Sequence, residues 1–282
     1  MLLFKKKDDF RQFFDKNKIQ ARSFGFVPTM GALHEGHISL VERSRAENPI
    51  TVCSIFVNPA QFNDPSDFEK YPVSIEQDIF MLESAGCEVL FLPSVQEIYP
   101  GGMPRDEQYN LGFLETVLEG KFRPGHFRGV CMVMRRLLDI VHADNLYLGQ
   151  KDYQQCMVIK KLISDYFTGI ETRVCPIIRE ADGLAMSSRN RRLNPEERKK
   201  APAIFAALQY VNQNLEKGNL HGLKSEAIDQ LTQQGFKIDY IEIADAATLE
   251  AVNTWDGQQK LVALAAVFLN EIRLIDNLIL HQ

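Results

Sequence analysis

The sequence predicts an α/β fold, with a Rossmann-like parallel sheet in an N-terminal domain, 1–178, and a smaller α+β C-terminal domain, 179–282. Three observations predict it. Short apolar, strand-like segments alternate with amphipathic helical ones up to residue 178, the pattern of parallel strands joined by right-handed crossovers. Beyond that point the order becomes two helices and then three strands, which suggests a separate α+β layer acting as a cover. The loops richest in glycine, histidine and hydroxyl groups also follow predicted strands, where ligands collect in sheets of this type.

Residues 10–18 read as a helix and 23–27 as a short buried strand. Ile38, Leu40 and Val41 lie within a helical stretch over 36–45 that stops before Asn48-Pro49, because the residue before proline avoids helical backbone. Residues 50–57 are rich in β-branched side chains and read as a buried strand. Residues 74–85 read as a helix ended by Gly86, and 88–92 as a third strand. Over 130–143 the side chains Arg135, Arg136, Asp139 and His142 share one polar face of an otherwise apolar helix. A strand over 145–148, a helix over 153–167 and a strand over 171–178 complete the alternation. In the second domain, Asn194-Pro195-Glu196-Glu197 supplies a capping side chain, a first-turn proline and acid near the positive end of the dipole. A long helix over 194–215 should follow, then a helix over 221–233 and strands over 237–243, 261–269 and 272–280. Prolines 59, 65 and 72, and 93, 100 and 104, mark two ordered loops, and Gly101-Gly102 would let the second move as a flap.

A chain of 282 residues can bury a substantial core. Its 45% hydrophobic and 24% charged residues are ordinary for a globular protein. A formal charge of −5 gives no general pull toward nucleic acid or anionic membranes. The longest apolar run, 261–269, falls well below the roughly 20 residues that span a bilayer. At the start of the chain the charges of Lys5-Lys6-Lys7 follow a short apolar run, the reverse of a secretion signal. The five cysteines (53, 87, 131, 156 and 175) form no C-x-x-C pair and sit mostly in apolar segments, as buried reduced thiols do. The expected compartment is the cytoplasm, with no nucleic-acid or membrane partner.

The candidate chemistry begins at His34-Glu35-Gly36-His37, which follows a strand and a glycine turn and opens a helix. That order sets two imidazoles beside free backbone N–H groups and the positive end of a helix dipole, where a triphosphate would sit. One dipole contact is worth only about 0.3–1 kcal/mol, so several donors must converge. The spacing is not the i,i+4 of a metalloprotease, and no third His, Cys or Asp nearby completes a zinc set, so no metal ligands are assigned. Lys151-Asp152 could hold a phosphate and a ribose hydroxyl or be a solvated helix start. Ser187-Ser188-Arg189 offers two hydroxyls and a guanidinium suited to phosphate oxygens. The loop 120–129, with Lys121, Arg123, His126 and Arg128 between glycines, could read an acidic substrate group or be an exposed helix entry. Gln61 and Gln155 are neutral amides suited to a hydroxyl or carboxylate. There is no Walker or dinucleotide glycine motif and no nucleophile–His pairing, so the site should position reactants and stabilise charge.

Four blocks in order, Pro28-Thr29-Met30-Gly31-Ala32-Leu33-His34-Glu35-Gly36-His37, Phe56-Val57-Asn58-Pro59-Ala60-Gln61-Phe62, Gly149-Gln150-Lys151-Asp152-Tyr153-Gln154-Gln155 and Met186-Ser187-Ser188-Arg189-Asn190, resemble the pantoate–β-alanine ligases (pantothenate synthetases) of the nucleotidylyl-transferase superfamily. The resemblance implies a ligase taking pantoate, β-alanine and Mg-ATP through a pantoyl adenylate, with Mg²⁺ held mainly by phosphate oxygens. It implies ATP along Met30, Gly31, Ala32, Leu33, His34, Glu35, Gly36 and His37, along Gly149, Gln150, Lys151 and Asp152, and along Ile178, Met186, Ser187, Ser188 and Arg189. His34, His37, Lys151, Ser187, Ser188 and Arg189 would act on the phosphates, and Gln61 and Gln155 would orient pantoate, with Gln61 also near β-alanine. A homodimer is implied as well. Val73 departs from the pattern, since many relatives carry arginine there. Another small-molecule nucleotidyltransferase of the superfamily is the alternative; an aminoacyl-tRNA synthetase fragment would call for an extended basic surface, at odds with the charge of −5.

Overall fold

The computed structural model describes residues 1–18, 23–63, 65–104 and 107–280. The chain divides into two compact units, Met1–Gln150 with Gln154–Pro176, and Lys151–Tyr153 with Ile177–Gln282.

The first unit is built on six parallel strands: β1 (Leu2–Phe4), β2 (Phe24–Thr29), β3 (Ile50–Ile55), β4 (Val89–Phe91), β5 (Asn145–Gly149) and β6 (Glu171–Cys175). Their order across the sheet is β1-β4-β3-β2-β5-β6. Strand order reverses between β2 and β5, the switch point where ligands enter such sheets. These two strands pair only at Gly25↔Asn145 and Phe26↔Leu146, while β2 pairs with β3 from Phe24 to Thr29. The ladder therefore stops short of the carboxyl ends, and the loops after β2 and β5 leave from strands no longer tied to each other.

Alternation of side chains across the pleat gives the sheet two apolar faces. Phe24, Phe26, Val52, Val89, Phe91, Leu146 and Leu148 enter one core with the helices Lys7–Lys18, His126–Val141 and Tyr153–Tyr166. Val27, Cys53, Ile55, Leu90 and Tyr147 enter the other with the helices Glu35–Glu47 and Ile75–Ser84. The expected helices and strands of this unit are all present, with ends moved by a few residues. The larger differences are two. Strand β1, not expected from the sequence, pairs in parallel with β4 at the sheet edge; three residues, with Leu2 and Leu3 half exposed, leave no readable period. Secondly, the helix expected from residue 130 starts at His126.

The second unit holds β7 (Gly218–Asn219), β8 (Lys237–Asp245), β9 (Thr254–Trp255), β10 (Leu261–Leu269) and β11 (Ile272–Ile279). β8, β10 and β11 form an antiparallel sheet in the order β11-β10-β8, and β7 pairs with β9. The helices Ala203–Gln213 and His221–Gln233 supply Ile204, Leu208, Val211, Ala227 and Leu231 to a core with Ile241, Ile243, Ala263 and Leu274. The single helix expected over 194–215 is two, Pro195–Lys200 and Ala203–Gln213. Pro202 stands at the break, where it has no N–H to give the preceding turn. The expected start does form: Asn194 accepts from the N–H groups of Glu196 and Glu197 at 3.0 and 2.9 Å, and Glu197 accepts from Asn194 N–H at 2.9 Å. Among the described residues no helix is long and apolar enough to cross a membrane.

Candidate active site

The turn after β2 is shaped by a residue that sequence reasoning missed. Asp78, fully buried on the helix Ile75–Ser84, accepts from Ala32 N–H at 2.9 Å and Leu33 N–H at 2.8 Å. Ser74 Oγ donates to the oxygen that Leu33 N–H also reaches, Asp78 Oδ1, at 3.0 Å. Gly31 has φ +81°, and a Cβ there would meet Asp78 Oδ2 and Ile55 Cγ2, each at 3.0 Å. Glycine is thus required both by backbone conformation and by space. Ala32, at φ +49°, is held in the same left-handed region without that freedom. Asp78 carries no sequence signal, because its partners lie 45 and 46 residues away.

His34 is the N-cap of the helix Glu35–Glu47, and its Nδ1 accepts from Gly36 N–H at 3.2 Å. His37 Nδ1 accepts in turn from His34 N–H at 3.3 Å, and the rings lie 4.1 Å apart. The expectation of free backbone N–H groups here is corrected: those of Ala32, Leu33, His34, Gly36 and His37 are all bonded within the protein. What the turn offers instead is imidazole. With Nδ1 an acceptor in each ring, the hydrogen of each neutral ring is on Nε2, so the pair presents two N–H donors fixed by the cap geometry. Glu35 is exposed, while Ala32 and Leu33 are fully buried and contribute packing. Met30 lies half-buried beside them.

The loop after β3 brings Gln61 to the same turn. Gln61 Oε1 accepts from Asn58 Nδ2 at 3.1 Å, which turns the amide nitrogen toward Met30 Sδ at 2.9 Å. Buried Asn58 uses its whole amide: Nδ2 also donates to Gly129 O at 3.0 Å, and Oδ1 accepts from Tyr99 Oη at 2.8 Å and Ala60 N at 3.3 Å. Gly129 makes this docking possible, since a Cβ would lie 2.1 Å from Ala60 O. We expect Gly129→Ala to lower stability by about 1–3 kcal/mol through forced separation of helix and loop, read as a shift in the urea midpoint with unchanged slope.

The basic segment 120–129 is in part an exposed helix entry, since Lys121, Phe122, Pro124 and Gly125 are exposed ahead of the helix His126–Val141. It comprises the helix Leu118–Phe122, a turn at Gly125 and the first turn of His126–Val141, and Glu119 and His126 are buried. Gly149 and Gln150 lie at the carboxyl end of β5. Gln155 is half-buried, whereas its neighbour Gln154 is buried and bonded to Glu119 N, Leu114 O and Val117 O. Val73 is 69% exposed.

In the second unit Lys151, Ile178 and Met186–Arg189 come together on β11. Asn277 Nδ2 donates to Lys151 O at 3.0 Å. Arg179, also missed from the sequence, donates to both oxygens of buried Asp276 at 2.6 and 2.9 Å and to Gly183 O at 3.0 Å, while lying 3.7 Å over the Phe205 ring. It ties β11 to a hairpin in which Met186 N donates to Ile178 O at 3.0 Å. The hairpin delivers Ser187, whose Oγ accepts from Arg189 N–H at 3.3 Å, opening the 3-10 turn Ser188–Arg192. Ser188 is buried and Arg189 half-buried. Lys151 is mostly buried, with Nζ 3.9 Å from the half-exposed Asp152 carboxylate. The last strand of the parallel sheet, expected over 171–178, ends at Cys175, and the segment 186–189 belongs to the second unit.

Burial raises the thiols of Cys53, Cys87 and Cys131, the last two to about 11 and about 12. They are therefore unsuited to nucleophilic attack. Among the described residues no three His, Cys, Asp or Glu side chains group as a metal site.

A family model for pantoate-beta-alanine ligase matches residues 2–279. A pantothenate synthetase from Acetivibrio thermocellus is 46% identical over 276 residues, which cover 97% of each chain. Among solved structures, pantothenate synthetase from Thermus thermophilus superposes with a TM-score of 0.90 at 39% identity, covering 99% of both chains. The pantoate-beta-alanine ligase from Francisella tularensis, complexed with beta-gamma ATP and beta-alanine, gives a TM-score of 0.82 at 38% identity, covering 99% of this chain and 97% of that one. Sequence and fold thus agree along nearly the whole chain, and the chain belongs to the pantoate-beta-alanine ligase family.

Proposed function

We propose that the chain condenses pantoate with β-alanine in two steps at the expense of Mg-ATP. A carboxylate is a poor acyl donor, because oxide is not a leaving group. Pantoate oxygen attacks the α-phosphorus, the bond from that phosphorus to the bridging oxygen breaks, and pyrophosphate departs with the electron pair. The pantoyl adenylate has AMP as its leaving group. The amine of β-alanine adds to the acyl carbon, AMP leaves, and the nitrogen loses a proton to give the amide. Magnesium travels with the nucleotide as part of the substrate.

The observation that carries this reading is the fixed Nε2–H tautomer of His34 and His37. Two donors held in place before reaction can meet charge as it moves onto the departing pyrophosphate, with no reorganisation at that moment. Lys151, Ser187, Ser188 and Arg189 share the phosphate load, and Arg189 adds a planar donor set. Gln61, whose amide is oriented by Asn58, and Gln155 orient pantoate, bringing nucleophile and phosphorus into line. The expected outcome with the purified chain is one AMP and one pyrophosphate for each pantothenate, dependent on pantoate, β-alanine and ATP. Formation of ADP and phosphate would rule out the adenylate route.

A further inference from the structure

We infer that His126 is a positioning residue for the condensation, setting the backbone of Gln61 through a relay that includes Arg123 and Glu119. The inference rests on the role proposed above for Gln61 in orienting pantoate.

His126 Nδ1 lies 2.8 Å from Gln61 O, and a carbonyl oxygen only accepts, so the ring hydrogen is on Nδ1. In the neutral ring Nε2 is then an acceptor, and Arg123 Nη1 stands 3.1 Å from it as the donor. The same Arg123 nitrogen is 3.5 Å from Glu119 Oε2. Glu119 is itself fixed, because its backbone N–H donates to Gln154 Oε1 at 2.9 Å and Gln154 Nε2 donates to Leu114 O and Val117 O. Glu119, His126 and Gln154 are only 7%, 6% and 2% exposed. The relay runs from one amide, Gln154, to another, Gln61, with buried Glu119 and His126 joined through the partly exposed Arg123, whose side chain is 21% exposed. Each of these links has one donor and one acceptor, so the geometry selects a single tautomer of His126.

The relay completes the hold on the loop 58–61. Asn58 fixes the side chain of Gln61 and Gly129 allows close approach at Ala60, but of these contacts only His126 fixes the Gln61 carbonyl. This contact sets the peptide plane from which the Gln61 side chain departs. Its loss deprives the carbonyl and a guanidinium hydrogen of this partner, and the amide that orients the substrate is displaced. The relay leads to the loop 58–61, whereas the turn 31–33 is set by Asp78, so the effect is selective for the acid substrate over ATP.

The test uses the full chain and separate saturation curves for pantoate, β-alanine and ATP. His126→Ala should raise KM for pantoate by about tenfold or more, the scale of one or two lost buried hydrogen bonds, with KM for ATP within about twofold of wild type. His126→Asn, whose Nδ2 can take the place of Nδ1–H, should recover pantoate KM to within about threefold. Arg123→Met, which removes the donor to Nε2 but keeps the stem, should give an intermediate pantoate KM. It also decides the matter should His126→Ala not fold. An unchanged pantoate KM in His126→Ala, equal rises for ATP and pantoate, or an Asn variant no better than Ala would overturn the inference. Gln61→Ala separates this failure from that of the proposed function. If the wild type makes pantothenate and Gln61→Ala raises pantoate KM while His126→Ala and Arg123→Met do not, only the relay falls; if the wild type makes none, the proposed function itself falls.

Discussion

His37→Ala is expected to slow adenylation by about 10²–10³, the scale for removing one preorganised transition-state donor. The ring has two functions that a single deletion confuses. Its Nδ1 accepts from His34 N–H at 3.3 Å as part of the cap of the helix Glu35–Glu47, and its Nε2 carries the hydrogen proposed to meet phosphate. His37→Asn separates them. The asparagine Oδ1 can stand near the Nδ1 position and accept from His34 N–H, but nothing then reaches where Nε2 was. The expected result is a rate loss close to that of alanine, with the thermal midpoint nearer wild type than the alanine variant, since a lost cap costs about 0.5–2 kcal/mol. Single-turnover release of pyrophosphate measures the adenylation step apart from amide formation. An Asn variant with wild-type adenylation would make His37 a capping group and nothing more.

The reading of the sequence succeeded where information is local. Strand, glycine turn and capped helix lie in consecutive residues at 24–37, and Asn194 to Glu197 carry their own cap within four positions. Periods of two and of 3.6 are local too, so the alternation of the first unit was legible. What escaped was whatever depends on a distant partner. Asp78 looks like one acid on a surface helix until the turn 31–33 folds against it. Arg179 reads as a charge among others, yet its partner Asp276 is 97 residues away. His126 escaped for the same reason: a run of basic residues between glycines suggests solvent or substrate, and only packing shows that this imidazole is buried. Of the N–H groups expected to be free at the histidine turn, those of Ala32 and Leu33 were lost to the distant Asp78, and those of His34 and Gly36 to the imidazoles of the turn itself. Pro202 could have been read locally, since a proline in a helix interior removes a hydrogen bond and clashes with the preceding turn; helical composition on both sides hid the break.

Asp78→Ala should be the most destabilising single change at the site, because it leaves the buried N–H groups of Ala32 and Leu33 without this acceptor. An unpaired buried donor costs about 1–3 kcal/mol, so two give a loss of about 3–5 kcal/mol. Asp78→Asn tests whether two acceptors are needed or one suffices. Its Oδ1 can serve one N–H, but the amide nitrogen is itself a donor and faces the other, so the variant should stay at least about 2 kcal/mol below wild type. Activity should fall further than stability alone explains. The carboxylate holds Gly31 and Ala32 in left-handed backbone, at φ +81° and +49°, and Leu33 leads directly into the cap at His34. With the carboxylate gone the Ala32 conformation relaxes toward the right-handed region, a drive of about 1–2 kcal/mol, and the imidazoles shift with the chain. A displacement near 1 Å costs on the order of 10²-fold in rate. Urea denaturation gives the stability loss, and adenylation measured at a temperature where the variant remains folded gives the rest. Wild-type stability in Asp78→Asn would show that packing of Leu33, rather than the carboxylate, sets the turn.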